Sequence, residues 1–202
     1  MAEPIALQIV RPDGRVASLA LARGDITRFS ADAIVNAANS ELAGGGGVDG
    51  AIHDAAGPDL MTELRARYRG CPTGSAVITG AGRLADRGVR HVIHAVGPVW
   101  RGGGRGEAEQ LASAYHSAMA LAREYGALSL AIPAISCGVY GYPLDEAARI
   151  AIGAVARELA RPGPPNLATF VLRSEEVAQA FERALAVSID GVGEMDEGRD
   201  RR

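Results

Sequence analysis

Lysine is absent from the 202-residue chain, and all 21 basic residues are arginine. A lysine Schiff base and a P-loop lysine are therefore excluded, because both need the ε-amino group. The two cysteines, Cys71 and Cys137, have the spacing of neither a zinc site nor a disulfide framework. Their scarcity favours a reducing compartment, and the N-terminal residues lack a signal-peptide pattern. We therefore expect a cytoplasmic protein.

Long apolar runs and an excess of positive charge are also missing. No run approaches the roughly 18 apolar residues that a membrane-spanning helix needs, so we expect no membrane partner. The net charge is −3, whereas proteins that follow nucleic-acid phosphates usually carry a basic surface. Broad nucleic-acid binding is therefore not expected, although arginines 87, 90, 101 and 105 could form a local basic patch. Aromatic residues make up only 4%, so small aliphatic side chains must build the core.

Apolar runs with strand and helix periodicity alternate along the chain. Residues 5–10 and 16–22, separated by PDGR, predict a β-hairpin. Further strands are predicted at 33–37, 76–79, 91–96, 128–132 and 168–172, and helices from about 48, after Pro58, and at 107–124, 144–160 and 175–187. This alternation predicts a single α/β domain over 1–189, with a mixed, mostly parallel sheet and helices on both faces. The polar residues 190–202 predict a disordered tail.

Two glycine-rich loops each follow a predicted strand and lead into a helix. They are residues 36–53, NAANSELAGGGGVDGAIH, and residues 133–143, PAISCGVYGYP. Glycine allows the backbone to approach a ligand closely, and helix N-termini attract anions. Side by side, the two loops could hold a diphosphate without lysine, although the glycine run could also be only a flexible turn. Neither loop matches a Walker motif or the dinucleotide-binding pattern.

Polar side chains in the first loop are candidates for chemistry. We expect Asn36 to cap a local backbone turn and Asn39 to face a ligand. Asp49 stands at the start of a predicted helix, where a carboxylate can either stabilise the helix or activate a water beside a bound phosphate. His53 lies one turn later on the same face, as a packing residue or a functional one with about equal weight.

Several other polar residues allow more than one interpretation. His91 and His94 form an HxxH pattern, but their odd separation on a strand sends them to opposite faces, so we reject a shared metal ion. Cys137 could be acidified by nearby amides, but we favour a small filler that presents its backbone N–H. Tyr140 and Tyr142 either cover a ligand sugar or close the core.

Six strings occur in series over about residues 20–175. They are GDIT (24–27), DAIVNAAN (32–39), GGGGVDGAIHDAAGP (44–58), TGSAVITGA (73–81), HVIHAVGP (91–98) and PAISCGVYGYP (133–143). In these strings and their order the sequence resembles the macrodomain family, in particular its MacroD-type branch of ADP-ribosyl hydrolases. The resemblance implies a three-layer α/β/α sandwich with a cleft for ADP-ribose.

The resemblance also implies roles for individual residues. Asp25 would bind the adenine amino group, with the Ile26 backbone beside it. Asn39 would hold the distal ribose, and Asp49 would stand near the scissile anomeric carbon. Arg173 occupies a position where many relatives have an aromatic ring against adenine. The diphosphate would be lined by backbone N–H groups of Gly46, Gly47, Val48, Ser136, Cys137, Gly138, Val139 and Tyr140.

The implied reaction is hydrolysis at the distal ribose, without a cofactor or a metal. Its substrates would be proteins with mono-ADP-ribose on Asp or Glu side chains, and O-acetyl-ADP-ribose. Two alternatives remain at this point. One is a non-catalytic reader that binds ADP-ribose or ADP-ribosylated proteins, and the other is a module that recognises poly(A) or ADP-ribosylated ends.

Overall fold

The computed structural model describes residues 6–196 as strands, helices and their connections. The strands are β1 Ala6–Val10, β2 Val16–Arg23, β3 Ala33–Ala38, β4 Ala76–Gly80, β5 His91–Val96, β6 Ser129–Ile132 and β7 Leu167–Leu172. The α-helices are α1 Gly47–Ala56, α2 Pro58–Arg67, α3 Glu107–Glu124, α4 Leu144–Leu159 and α5 Glu175–Asp196. Each predicted strand and helix is present, and only α5 differs from its predicted bounds by more than two or three residues.

The seven strands form one mixed sheet in the order β1-β2-β7-β6-β3-β5-β4. The five central strands run parallel, while β1 pairs antiparallel with β2 and β4 pairs antiparallel with β5. The carboxyl ends of the parallel strands therefore meet at one edge. From β6 the chain continues to β7 on one side, and from β3 it continues toward β5 on the other. Ligands in open α/β sheets bind outside the carboxyl ends at such a switch point.

Helices cover both faces of the sheet, which confirms the predicted α/β/α layers. Alternate residues of β3 lie on opposite faces of the sheet. Val35 belongs to the core cluster with α3, α4 and α5, and Ile34 to the cluster with α1 and α2. Phe170 and Phe181 are fully buried between β7 and α5, with ring centroids 4.9 Å apart. Burying such a side chain stabilises the fold by about 1.5–3 kcal/mol, so a few aromatic residues suffice in an aliphatic core.

Helix α5 corrects the prediction for the end of the chain. It was expected to stop at 187, with a disordered tail over 190–202, but it continues to Asp196. The polar residues after 187 include no proline, and non-proline residues cost a helix at most about 1 kcal/mol each, so these residues can continue the helix. The predicted domain boundary at 189 thus falls inside a helix. Residues 197–202 lie outside the described residues. Among residues 6–196, no helix has the length and apolar character needed to cross a membrane.

Candidate functional site

A cavity of about 590 Å³ opens at the carboxyl edge of the sheet, beside the switch point between β6 and β3. Segments that follow four parallel strands form its walls, together with the first turn of α1 and one residue of α5. The lining residues are 37–39, 45–49, 97, 133–140, 171–174 and 177. The two glycine-rich loops predicted to hold a ligand therefore lie on the same cavity.

The first wall is the loop from β3 to α1. Gly46 is the N-cap of α1, so the first N–H groups of this helix, from Gly47 onward, have no acceptor within the helix. Gly47 has a φ of 63°, a left-handed conformation that a side chain would strain. Because these amides and the positive end of the helix face the cavity, this wall can bind an anion.

The second wall is the loop from β6 to α4. Two internal hydrogen bonds close it: Gly141 N–H donates to Gly138 O, and Tyr142 N–H donates to Ser136 O. Within residues 6–196, no acceptor faces the backbone N–H groups of Ser136, Gly138, Val139 and Tyr140. Successive free amides in a turn form a concavity that suits phosphate oxygens.

Cys137 departs from the expected pattern in this loop. Its backbone N–H is directed at Ala134 O, at 3.4 Å, because the chain turns back on itself there. The prediction that Cys137 presents a free N–H is therefore wrong. Its side chain is a filler, as predicted: the thiol contacts Ile135 O at 3.5 Å, and burial raises the pKa of Cys137 to about 12.

Ser136 combines two features that are unusual for a residue in a loop. Its φ is 66°, in the left-handed region that costs an ordinary residue about 1 kcal/mol. Its side chain is buried, and Oγ has no hydrogen-bond partner in the described part of the chain. A strained residue with an unpaired hydroxyl on a cavity wall is typical of a ligand-binding position.

Asp49 provides the acid of the site, from the first turn of α1. Its Oδ1 accepts a hydrogen bond of 2.6 Å from Asn36 Nδ2 and lies 3.5 Å from His53 Nε2. Its Oδ2 is buried and has no partner among the described residues. One carboxylate oxygen is thus held by Asn36, while the other is buried without a partner in a residue that lines the cavity.

Of the two asparagines, Asn36 departs from its predicted role, whereas Asn39 makes local hydrogen bonds and lines the cavity. Asn36 was expected to cap a turn, but it lies fully buried on β3 and reaches across to α1. Asn39 makes the local bonds instead: its Nδ2 donates to Gly44 O at 2.8 Å, and its Oδ1 accepts from Ala43 N at 3.2 Å. Asn39 still lines the cavity, one residue after the end of β3.

The predicted adenine-binding residues lie outside the cavity lining. Ile26 is buried in the core beneath α1. Asp25 is exposed, and hydrogen bonds from the hydroxyl and N–H of Thr27 lower its pKa, with a smaller effect from the positive charge of Arg173. Arg173 itself is exposed and lines the cavity just after β7. The positive charge of Arg173 thus acts on Asp25, while Arg173 itself lines the cavity.

Gly97, directly after β5, is a site residue that the sequence analysis missed. A Cβ at this position would lie 2.3 Å from Ser136 Oγ and 2.4 Å from Ile135 Cγ2, so only glycine leaves room for the second loop. The signal was present, since a glycine follows a buried strand at the same sheet edge. Val171, Leu172 and Val177 were also missed, and they give the cavity an apolar side.

The two loop tyrosines have different positions. Tyr142 is buried against Trp100, with ring centroids 4.6 Å apart, so it closes the core, while Tyr140 lines the cavity.

The two histidines of the HxxH pattern lie on opposite faces of β5. His91 packs on Tyr125 at the end of α3, whereas His94 faces α1, as the odd spacing predicts. The four arginines of the possible basic patch divide between two places: residues 87 and 90 precede β5, and residues 101 and 105 follow its opposite end.

Comparison with known proteins agrees with this geometry. The family model described as Macro domain matches residues 35–151, which is more than half of the chain. The chain belongs to the macrodomain family. A protein of Salmonella gallinarum named O-acetyl-ADP-ribose deacetylase is 51% identical over 170 residues, covering 83% of this chain and 93% of the relative.

Solved structures show the same fold. A macrodomain of Oceanobacillus iheyensis with ADP superposes with a TM-score of 0.82 and 37% identity, over 94% of this chain and all of the other. A macrodomain of Trypanosoma brucei in complex with ADP-ribose gives a TM-score of 0.74 and 40% identity, over 83% of this chain and 68% of the other.

Proposed function

We propose that this protein binds ADP-ribose in the cavity at the carboxyl edge of the sheet and hydrolyses an ester at its distal ribose. One observation carries the proposal: two sets of free backbone amides line the same cavity as Asp49, whose Oδ2 has no partner among the described residues. A diphosphate needs such donors, and hydrolysis needs a group that accepts a proton from water.

The ligand's orientation follows from the chemistry of the walls. The diphosphate lies between the start of α1 and the loop 136–140, where the free amides converge. The adenine lies toward Arg173, whose guanidinium can stack on a base, with Asp25 as the acceptor for the amino group beyond it. The distal ribose then lies toward Asn39 and Asp49.

Asp49 acts on a water in the proposed step. Its Oδ2 accepts a proton as the water oxygen attacks C1″ of the distal ribose, and the bond from C1″ to the acylated oxygen breaks. The proton passes to the leaving carboxylate, so the products are ADP-ribose and a free carboxylic acid. Asn36 and His53 hold Oδ1, so the carboxylate keeps its orientation during attack. The loop amides stabilise the negative charge of the diphosphate and the charge that develops at the reacting end.

Two substrate classes fit this step. The relative from Salmonella is named an O-acetyl-ADP-ribose deacetylase, and at 51% identity its name supports the same small-molecule ester here. Esters of ADP-ribose with Asp or Glu side chains of proteins present the same bond. The neighbours with ADP and ADP-ribose support the placement of the nucleotide.

Incubation with two substrates tests the proposal. O-acetyl-ADP-ribose and a protein carrying glutamate-linked mono-ADP-ribose are each mixed with the wild type, Asn39→Ala and Asp49→Ala. We expect release by the wild type, and a loss of at least about 100-fold in Asp49→Ala with little change in ADP-ribose affinity. Asp54→Ala, an exposed acid on the same helix, serves as the control and retains activity. Full turnover by Asp49→Ala would contradict the role of Asp49.

A non-catalytic ADP-ribose reader is the second candidate. The observation in its favour is that the amide of Asn39 is engaged with its own loop rather than pointing free into the cavity. A reader would bind ADP-ribose but release nothing from either substrate, so the same experiment separates the two functions.

A further inference from the structure

A row of buried polar side chains crosses three strands behind the cavity. Asn36 on β3, His94 on β5 and Thr79 on β4 are each at most 1% exposed. They lie on the sheet face that packs against α1, where the neighbouring positions are apolar. Polar groups in such a place destabilise the fold unless they are hydrogen-bonded, so their hydrogen-bond partners indicate their role.

The hydrogen bonds run in one direction. Asn36 Nδ2 lies 2.6 Å from Asp49 Oδ1 and 3.1 Å from His94 Nδ1. An amide nitrogen only donates, so it gives one hydrogen to each, and His94 Nδ1 must be an acceptor. The ring hydrogen of His94 is then on Nε2, which lies 3.0 Å from Thr79 Oγ1. The Thr79 hydroxyl in turn donates toward Val92 O at 3.5 Å.

The groups around His94 keep this arrangement at neutral pH. Burial, together with the nearby His53, lowers the pKa of His94 to about 3, so the ring stays neutral. The His53 ring lies 6.0 Å away, centroid to centroid, and Asn36 Nδ2 lies between His94 Nδ1 and Asp49 Oδ1. A neutral histidine has one donor and one acceptor: with Nδ1 accepting from Asn36, the hydrogen is on Nε2, and Thr79 Oγ1 is its acceptor.

We propose that Thr79 and His94 are positioning residues that fix the amide orientation of Asn36, so that its nitrogen and not its oxygen faces Asp49. In the opposite orientation Oδ1 of Asn36 would meet the carboxylate and repel it. The unpartnered state of Asn36 Oδ1 shows that the two acceptors of Nδ2, and not a donor to the oxygen, determine the orientation. The consequence for catalysis rests on the proposed function, since it requires Asp49 to act on a water.

Thr79→Val and Thr79→Ser form a matched pair for the test. Valine keeps the shape of threonine but cannot accept from His94, whereas serine keeps the hydroxyl. With O-acetyl-ADP-ribose, we expect Thr79→Val to lower kcat about 10-fold or more, with KM and the Kd for ADP-ribose within about two-fold of wild type. Thr79→Ser restores kcat to within about two-fold. His91→Gln, on the opposite face of the same strand as His94, keeps wild-type kcat. Equal kcat for the valine and serine variants would overturn the proposal.

Nitrogen chemical shifts provide a readout that does not depend on turnover. In the wild type at pH 7, we expect His94 to carry its hydrogen on Nε2, and both amide hydrogens of Asn36 to exchange slowly. In Thr79→Val the His94 shifts move toward the other tautomer. A wild type with the hydrogen on Nδ1 would overturn the proposal whether or not the protein is an enzyme. A wild type with the expected shifts but no turnover would support the hydrogen-bond arrangement of Thr79, His94 and Asn36 and contradict the proposed hydrolase function.

Discussion

Gly97 and Ser136 are in such close contact that a Cβ on residue 97 would lie 2.3 Å from the Ser136 hydroxyl. The contact joins the end of β5 to the loop after β6, which are 39 residues apart in the chain. Ser136 is in turn the first residue of the segment whose amides are free. The glycine therefore sets the position of one wall of the cavity.

Gly97→Ala tests this dependence. The added methyl group must displace Ser136 or Ile135, and overpacking of this kind costs about 1–3 kcal/mol. We expect the affinity for ADP-ribose to fall about 10-fold, since about 1.4 kcal/mol corresponds to a factor of ten. Gly104→Ala is the control, because a Cβ there meets nothing within 4 Å. Equal affinities for the two variants, measured by calorimetry, would show that the contact does not position the loop.

Tyr115 supports the same loop from the core. Its hydroxyl accepts a hydrogen bond of 2.9 Å from Ile135 N and donates to Pro133 O. Tyr115→Phe leaves a buried N–H without an acceptor, so we expect the free energy of unfolding to fall by about 1–3 kcal/mol. Urea denaturation measures this change. Tyr125→Phe, at a tyrosine that is 38% exposed, should stay within about 0.5 kcal/mol of wild type. The same small effect for Tyr115→Phe would contradict its supporting role.

Cys137 should be inert toward alkylation despite its place on the cavity wall. Burial raises its pKa to about 12, so the thiol is not ionised at neutral pH, and the thiolate is the reactive form. We expect iodoacetamide at pH 7.5 to leave ADP-ribose binding and turnover unchanged. Mass spectrometry of the treated protein reports any modification. Rapid labelling of Cys137 with loss of binding would mean that the thiol is acidic after all.

His94 predicts a pH dependence of stability. Above pH 6.5 its ring is neutral in the folded and unfolded states, so it contributes no dependence. Below pH 6.5 the unfolded chain takes up a proton that the folded protein refuses until its pKa of about 3. The free energy of unfolding therefore falls as the pH decreases over this window, on the order of 1 kcal/mol per pH unit from this residue.

A comparison of urea denaturation between pH 6.5 and 4.5 isolates the effect. The wild type should lose more stability over this range than His94→Gln, which has no ring to protonate. Parallel stability curves for the two proteins would show that His94 is not held neutral by burial.

Features that depend on local patterning could be predicted from the sequence. The PDGR turn between two apolar runs gives the hairpin of β1 and β2, and the glycine run before Asp49 gives the start of α1. The candidate loops were predictable for the same reason, because each glycine-rich segment follows a strand and precedes a helix. Their convergence on one cavity then follows from the parallel strand order.

Features that depend on contacts between distant segments could not be predicted from the sequence. Asn36 and Asn39 are three residues apart, and which of them reaches Asp49 depends on the pairing of Asn36 with His94 in β5. The need for glycine at 97 arises from a loop that comes 39 residues later. The engagement of the Cys137 N–H with Ala134 O likewise depends on how the loop folds back, which composition does not specify.

Titration of the wild-type protein with free ADP-ribose in a calorimeter tests the central claim most directly. Two walls of free amides around one cavity predict saturable binding of one ADP-ribose per chain, with a Kd of micromolar order, about −8 kcal/mol. A diphosphate-free analogue such as adenosine should bind far more weakly under the same conditions. The absence of heat with ADP-ribose, or equal binding of adenosine, would contradict the claim that the loop amides form a diphosphate site.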